Sequence, residues 1–288
     1  MGIFVKNNSK TEKEPAYYIS AINTQTLNYK VYYMSFLEKL AYFLLAFIVG
    51  AAVGYLFYGG IGKDEFGQAT STTKFLNIFI PCIVGILSGK LFLPIRVNQI
   101  KEKRIRNVKR QFRDMLEALT TSLGAGKNVN DSFVATYEDL LVQYPEEAYI
   151  ISEIQLINTG VQNNIPIEEL LWDFGVRSGI DDIRSFANVF KISYRKGGNI
   201  KDIIRNTNDI LKDKMDIVED IETVVASNKM EQTIMIFMPI GIIAMIKMMS
   251  PEFASKFTSA TGVISTTIAV GLFLLAYYVG KQILNIKV

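Results

Sequence analysis

Residues Phe75 to Arg113 read FLNIFIPCIVGILSGKLFLPIRVNQIKEKRIRNVKRQFR, and the change of character part-way along decides the fold. Phe75–Ile95 contains one charged side chain, Lys90. The continuation holds Arg96, Lys101, Lys103, Arg104, Arg106, Lys109, Arg110 and Arg113. A helix rises ~1.5 Å per residue, so ~17 to 25 apolar residues cross a ~30 Å hydrocarbon core. Three further runs meet that length: Leu40–Tyr58, Thr233–Met249 and Val263–Gly280, whose only charged residue is Lys247, close enough to an end for its stem to reach the interface. The sequence therefore divides into a polar, then tyrosine-rich N-terminal segment at 1–35, a first membrane hairpin at 36–95, a charged domain at 96–232 and a second hairpin at 233–288. The tyrosines at 17, 18, 29, 32 and 33 suit a membrane interface, and no short secretory h-region precedes them.

Basic residues set the orientation. The two short connections, 59–74 and 250–262, hold only Lys63, Lys74 and Lys256, against eight cations directly after the second run. By the positive-inside rule, the middle domain and both termini are expected in the cytoplasm. Basic residues at such a boundary meet anionic lipid, at ~1 kcal/mol each, so membrane lipids are the expected partner and nucleic acid is not. The net charge of +3 averages a nearly neutral membrane part with a partitioned polar part.

The middle domain parses as six helices. Ile105, Val108, Phe112, Met115, Leu116, Leu119 and Leu123 form one helical stripe that stops at Gly124-Ala-Gly126. Asn128 or Asn130 caps the second helix. The third follows Pro145 and ends at Gly160; the fourth opens at Pro166 and ends at Gly179. Asp181 caps the fifth, which ends at Gly197-Gly198, and Asn199 caps the sixth. No segment alternates as a strand. The expected fold is all-α: four transmembrane helices, two plus two, flanking a cytoplasmic six-helix up-and-down bundle. That path gathers the turns at 124–130, 160–166 and 197–199 at one end, making Lys127, Asn128, Asp131, Asn163, Asn164, Gly197, Gly198 and Lys201 the candidate partner-binding residues. It also runs the first and sixth helices antiparallel as a stalk, with expected salt bridges Arg104–Glu219, Lys103–Asp220 and Arg110–Asp213.

Enzymatic chemistry finds little to work with. The chain has no histidine and one cysteine, Cys82, inside the second apolar run, which excludes Cys/His pairs, Ser/His/Asp triads and thiolate zinc sites. Gly124-Ala-Gly126-Lys127 follows a helix and lacks both the spacing and the hydroxyl residue of a phosphate loop. Asp213, Asp216, Glu219, Asp220 and Glu222 have a spacing that could hold a divalent cation but reads first as a solvated helix face. No catalytic residue, cofactor or metal is expected.

Phe112–Leu123 with Gly124-Ala-Gly126 and Phe133, the Gly197-Gly198 turn, Pro239, Pro251-Glu252-Phe253 and Thr261-Gly262 together resemble the F domain of type II secretion systems. The two-plus-two spans around one such domain are similar to the TadB/TadC-type proteins of tight-adherence (Flp) pilus assembly, over roughly residues 36 to 288. What the resemblance implies is a non-enzymatic platform in the cytoplasmic (inner) membrane that couples a hexameric secretion ATPase to pilin subunits and pairs with a sister platform protein or with itself. The alternative is a signalling or receptor-type helical relay, for which connections of this length leave little room for a ligand-binding domain.

Overall fold

The structure is a computed structural model that describes residues 14–62 and 68–284, without the side chains of 222, 224–227, 229, 251–253, 281 and 284. The polar residues 1–13, Lys63 and the side chain of Glu222 lie outside this description. Among the described residues the chain is all-α apart from one small hairpin, β1 (Tyr17–Ile19) and β2 (Gln25–Leu27), paired antiparallel with Tyr18 opposite Thr26. The helices are α1 (Phe36–Tyr58), α2 (Ser71–Gly124), α3 (Val129–Gln143), α4 (Tyr149–Gln162), α5 (Ile167–Ser178), α6 (Asp181–Lys196), α7 (Ile200–Met249), α8 (Pro251–Phe257) and α9 (Ala260–Leu284).

Two elements are longer than the sequence implies. The second membrane run and the basic segment after it form one uninterrupted helix, α2, and the last helix of the charged domain continues as α7 through the third run. A change of solvent does not require a break in the backbone, because both halves favour helix. Pro81 and Pro94 lie inside α2 and Pro239 inside α7, as Pro can where neighbouring elements re-satisfy the freed carbonyls.

The chain forms two compact units. Among the described residues the first, the helical unit, comprises 14–33 and 97–213; the second, the membrane unit, comprises 34–62, 68–96 and 214–284. This departs from the sequence division at both ends. Residues 14–33 belong to the helical unit, and 214–232 belong with the membrane unit. In this structure the tyrosine-rich segment, expected as an interfacial anchor, packs as a strap on the helical unit. Tyr29 is buried in its core, and its N–H donates to Arg177 O at 3.3 Å.

The core of the helical unit is built around the C-terminal stretch of α2. Phe112 meets Phe174 of α5 and Phe186 of α6 edge-on, with ring centroids 6.1 and 5.5 Å apart, and Tyr29 stands edge-on to Tyr149 at 5.6 Å. Such edge-to-face pairs contribute ~0.5 to 1.5 kcal/mol beyond their burial. Gly175 allows α5 and α6 to touch: a Cβ there would lie 2.9 Å from Arg184 Cα.

The membrane unit contains four helical stretches long and apolar enough to cross a membrane: Phe36–Tyr58, the N-terminal part of α2, Met230–Met249 and Ala260–Gly280. Here α1 and α2 pack through small residues. A Cβ on Gly50 would collide with Ser88, one on Gly85 would sit 2.9 Å from Phe47 O, and one on Gly54 would be 3.3 Å from Pro81 Cα. Backbones approach this closely where lipid supplies no hydrophobic drive and dispersion must hold the helices together. Lys247 does more than reach an interface. Its ammonium donates to Leu56 O at 2.5 Å and Phe57 O at 3.5 Å, covering the unpaired carbonyls at the negative end of α1.

Candidate functional site

Three turns meet at one end of the helical unit. Asn158 of α4 donates to Phe133 O near the start of α3 at 3.4 Å, which sets the end of α4 beside the beginning of α3. Arg195, at the end of α6, donates to Glu168 Oε1 in the first turn of α5 at 3.0 Å. Lys201 Nζ lies 4.0 Å from where a Gly124 Cβ would stand, joining the 124–130 turn to the 197–201 turn. The structure therefore brings Lys127, Asn128, Asp131, Asn163, Asn164, Gly197, Gly198 and Lys201 to the same end, and all eight are exposed.

Local chemistry explains the turns. Asn128 caps α3: its Oδ1 accepts from Asp131 N at 2.8 Å, and its Nδ2 donates to Asp131 Oδ2 at 2.7 Å. Asn199 repeats the pattern on α7, accepting from Asp202 N at 3.4 Å and donating to Asp202 Oδ2 at 2.5 Å. These two Asn-x-x-Asp caps tie up the carboxylates at the helix starts, where negative charge is favoured. Lys127 and Lys201 form no ion pair among the described residues, so this end offers two uncommitted ammonium groups. Gly197 closes α6 at φ 72° and Asn164 follows α4 at φ 60°, left-handed positions that Gly and Asn tolerate best. At the start of α6 the cap position is Ile180, not Asp181, which stands one residue inside.

The expected stalk pairs take other forms. Arg104 donates to Val31 O at 3.1 Å and lies over the Tyr32 ring at 5.1 Å, so the N-terminal strap occupies it. Arg110 faces Tyr144. Lys103, Asp213, Glu219 and Asp220 are exposed, and none of the six takes part in an ion pair among the described residues. Other members of the basic run are engaged as well: Arg96 stacks on Tyr42 at 5.1 Å and Lys109 pairs with Asp182 at 3.8 Å.

One buried network escaped the sequence reading. Arg177, 1 % exposed, forks onto Glu153, 3 % exposed, with Nη1–Oε1 at 2.8 Å and Nη2–Oε2 at 2.7 Å. Its Nε donates to Asp173 Oδ2 at 2.7 Å, and Tyr29 OH donates to Glu153 Oε1 at 2.7 Å. Burial alone would disfavour the guanidinium, but hydrogen bonds and charge from Glu153, then Asp173, outweigh it and hold Arg177 above its ordinary value. Burial first, then the charge of Glu153 and the hydrogen bond to it, push Tyr29 well above the usual phenol range. Tyr144 is pushed up to about 12 by burial and by its hydrogen bond to Asp114. The signal was present in the sequence. Glu153 interrupts the stripe Ile150, Ile154, Ile157, and Arg177 continues Leu170, Phe174, each a charge on a core-facing helical period. Fully paired inside one protein unit, this network is an architectural clamp that fastens the N-terminal strap.

Among the described residues no group of three or more Cys, Asp or Glu side chains converges as a metal site. Comparison with protein-family models, curated proteins and solved structures returned no match to this chain.

Proposed function

We propose that this chain is a non-enzymatic membrane platform of a type IV (Flp/tight-adherence) pilus or type II secretion machine, coupling a hexameric cytoplasmic ATPase to pilin assembly. The observation that carries the reading is the gathering of three polar, exposed turns at one end of a mainly helical unit whose first and last helices continue directly into apolar spans. A helix without a break transmits displacement along its axis, which suits a part that must pass force or position across a membrane boundary. The resemblance of the 112–133 and 197–199 segments to the F domain supports the same reading, as does the cluster of cations after the second span, which favours the helical unit and both termini on the cytoplasmic side.

In this reading Lys127 and Lys201 present positive charge to an acidic surface of the ATPase, while Asn163 and Asn164 widen the contact with amide groups. The test is binding of the purified secretion ATPase to the full chain in lipid nanodiscs. Charge reversal at Lys127 and Lys201 together should weaken binding by about tenfold, the scale of charge pairs across an interface, with helicity unchanged. Unchanged affinity would remove this end as the docking surface. Failure of the unmodified chain to bind any secretion ATPase from its own genome would remove the platform reading.

A further inference from the structure

The hairpin of β1 and β2 has two strands only, so each strand has one edge that the other does not cover. Which backbone groups of β1 face that edge follows from the ladder. Asn28 N donates to Ala16 O and Ser20 N to Thr24 O, both at 2.9 Å, so Ala16–Asn28 and Ser20–Thr24 are hydrogen-bonded pairs, with Tyr18–Thr26 between them. By the alternation of an antiparallel ladder, the N–H and C=O of Tyr17 and Ile19 point away from β2. Among the described residues no backbone group from outside the ladder meets them.

The side chains follow the same period of two. Ser20 is buried and Tyr18 half-buried, whereas Tyr17 is 58 % exposed and Ile19 is 73 % exposed. The hairpin is seated through β2, whose Leu27 packs against the core of the helical unit, and this leaves β1 as the outer strand. Its turn rests on α4: Ile22 Cγ2 lies 3.1 Å from where a Gly160 Cβ would stand, close to Asn163 and Asn164. Proteins ordinarily guard a strand edge with a charge or a proline. Tyr17-Tyr18-Ile19 contains neither.

We propose that the outer edge of β1 is a strand-addition site for an extended segment of a partner protein whose side chains alternate apolar and polar. Only an extended backbone returns donors and acceptors at the two-residue spacing that Tyr17 and Ile19 present. Pairing with these groups supplies the affinity, and contact with the Tyr17 ring and the Ile19 side chain selects apolar residues at alternate positions. The site adjoins the proposed docking end without depending on it, because it follows from the ladder alone.

The probe is a fluorescent, lysine-flanked peptide of alternating valine and threonine, titrated by polarisation against the full chain in lipid nanodiscs. Ile19→Pro removes the outward N–H and keeps every bond to β2, so it should weaken binding at least about fivefold, the scale of one hydrogen bond. Tyr17→Ser with Ile19→Ser keeps the backbone, removes the apolar contacts and should weaken binding as well. The same peptide N-methylated at every residue keeps its side chains, loses its donors and should not bind. The urea transition followed by Trp172 fluorescence should stay in place in both variants, which separates loss of the edge from loss of the fold. Absence of binding to the parent chain, or equal binding to the parent and to Ile19→Pro, overturns the proposal. So does binding that appears only after residues 2–13 are removed, the result expected if the chain's own N-terminal segment takes the edge.

Discussion

In the helical unit the large apolar side chains turn inward, and in the membrane unit they turn outward; α2 contains both patterns. Along its C-terminal stretch Val108, Phe112, Met115, Leu116 and Leu119 are buried, while towards its N-terminus Phe75, Ile78, Leu87 and Leu91 are more than half exposed. One unit excludes water with its own core and fixes its polar groups internally. The other leaves its apolar surface for lipid to cover and buries glycines instead, at Gly50 and Gly54 of α1. The lesson is that one continuous helix is stabilised under two different rules, so a given substitution should cost very different amounts on either side of Arg96.

The largest contrast comes from the buried clamp. Arg177→Met leaves Glu153 charged and enclosed without its partner, and should cost the helical unit ~3 to 5 kcal/mol. Trp172 is the only tryptophan in the chain, so urea unfolding of the full chain in micelles, followed by its fluorescence, reads this unit selectively. A loss under ~1 kcal/mol would mean the pair is solvated and the dry-core description fails.

Gly85→Ile tests the other side. Its Cβ would press on Phe47 O, and overpacking of this kind costs ~1 to 3 kcal/mol. The expected result is a lowered far-UV CD transition with the Trp172 transition unmoved. A shift of both together would show that the two units unfold as one.

Tyr29→Phe should cost ~1.5 to 3 kcal/mol, the range for a hydrogen bond to a charged group. Its pH dependence has a definite sign. Because Tyr29 titrates above its ordinary value of ~10 in the folded state, its contribution is complete below pH ~10 and is lost as the pH rises towards the folded value. The stability difference between the parent chain and Tyr29→Phe should therefore shrink above pH ~10, and a difference that stays constant there would contradict the buried phenol. Smallest of all, Arg184→Ala removes an exposed partner of Asp181 and should change stability by ~0.2 to 1 kcal/mol in the same fluorescence assay.

Much of this architecture is legible in the sequence, for reasons that differ by element. The turns were marked by Gly124, Asn128, Gly197 and Asn199 because caps are local chemistry, fixed within a few residues. The four spans followed from length and charge alone. Strands β1 and β2 were missed because three residues each are too few to establish an alternation. The position of Tyr29 was missed because its partners Glu153 and Arg177 lie more than a hundred residues away, where only tertiary packing connects them. Counting along helices gives no sign that the strap engages Arg104 through Val31 O and the Tyr32 ring. For the proposed site, the turns that hold its residues are readable in the sequence, whereas the Lys201–Gly124 proximity and the paired Asn-x-x-Asp caps required coordinates.

The division of solvent between the two units is most directly tested by thiol accessibility in native membranes, on a Cys82→Ala background with single cysteines at Ser71, Leu87 and Val142. All three positions are exposed on the protein surface, so only their surroundings differ. The account predicts that an impermeant maleimide labels Ser71→Cys in intact cells, labels Val142→Cys only after permeabilisation, and labels Leu87→Cys only after denaturation. Labelling of Val142→Cys from the same side as Ser71→Cys, or reaction of Leu87→Cys in the intact membrane as fast as Val142→Cys after permeabilisation, would contradict it.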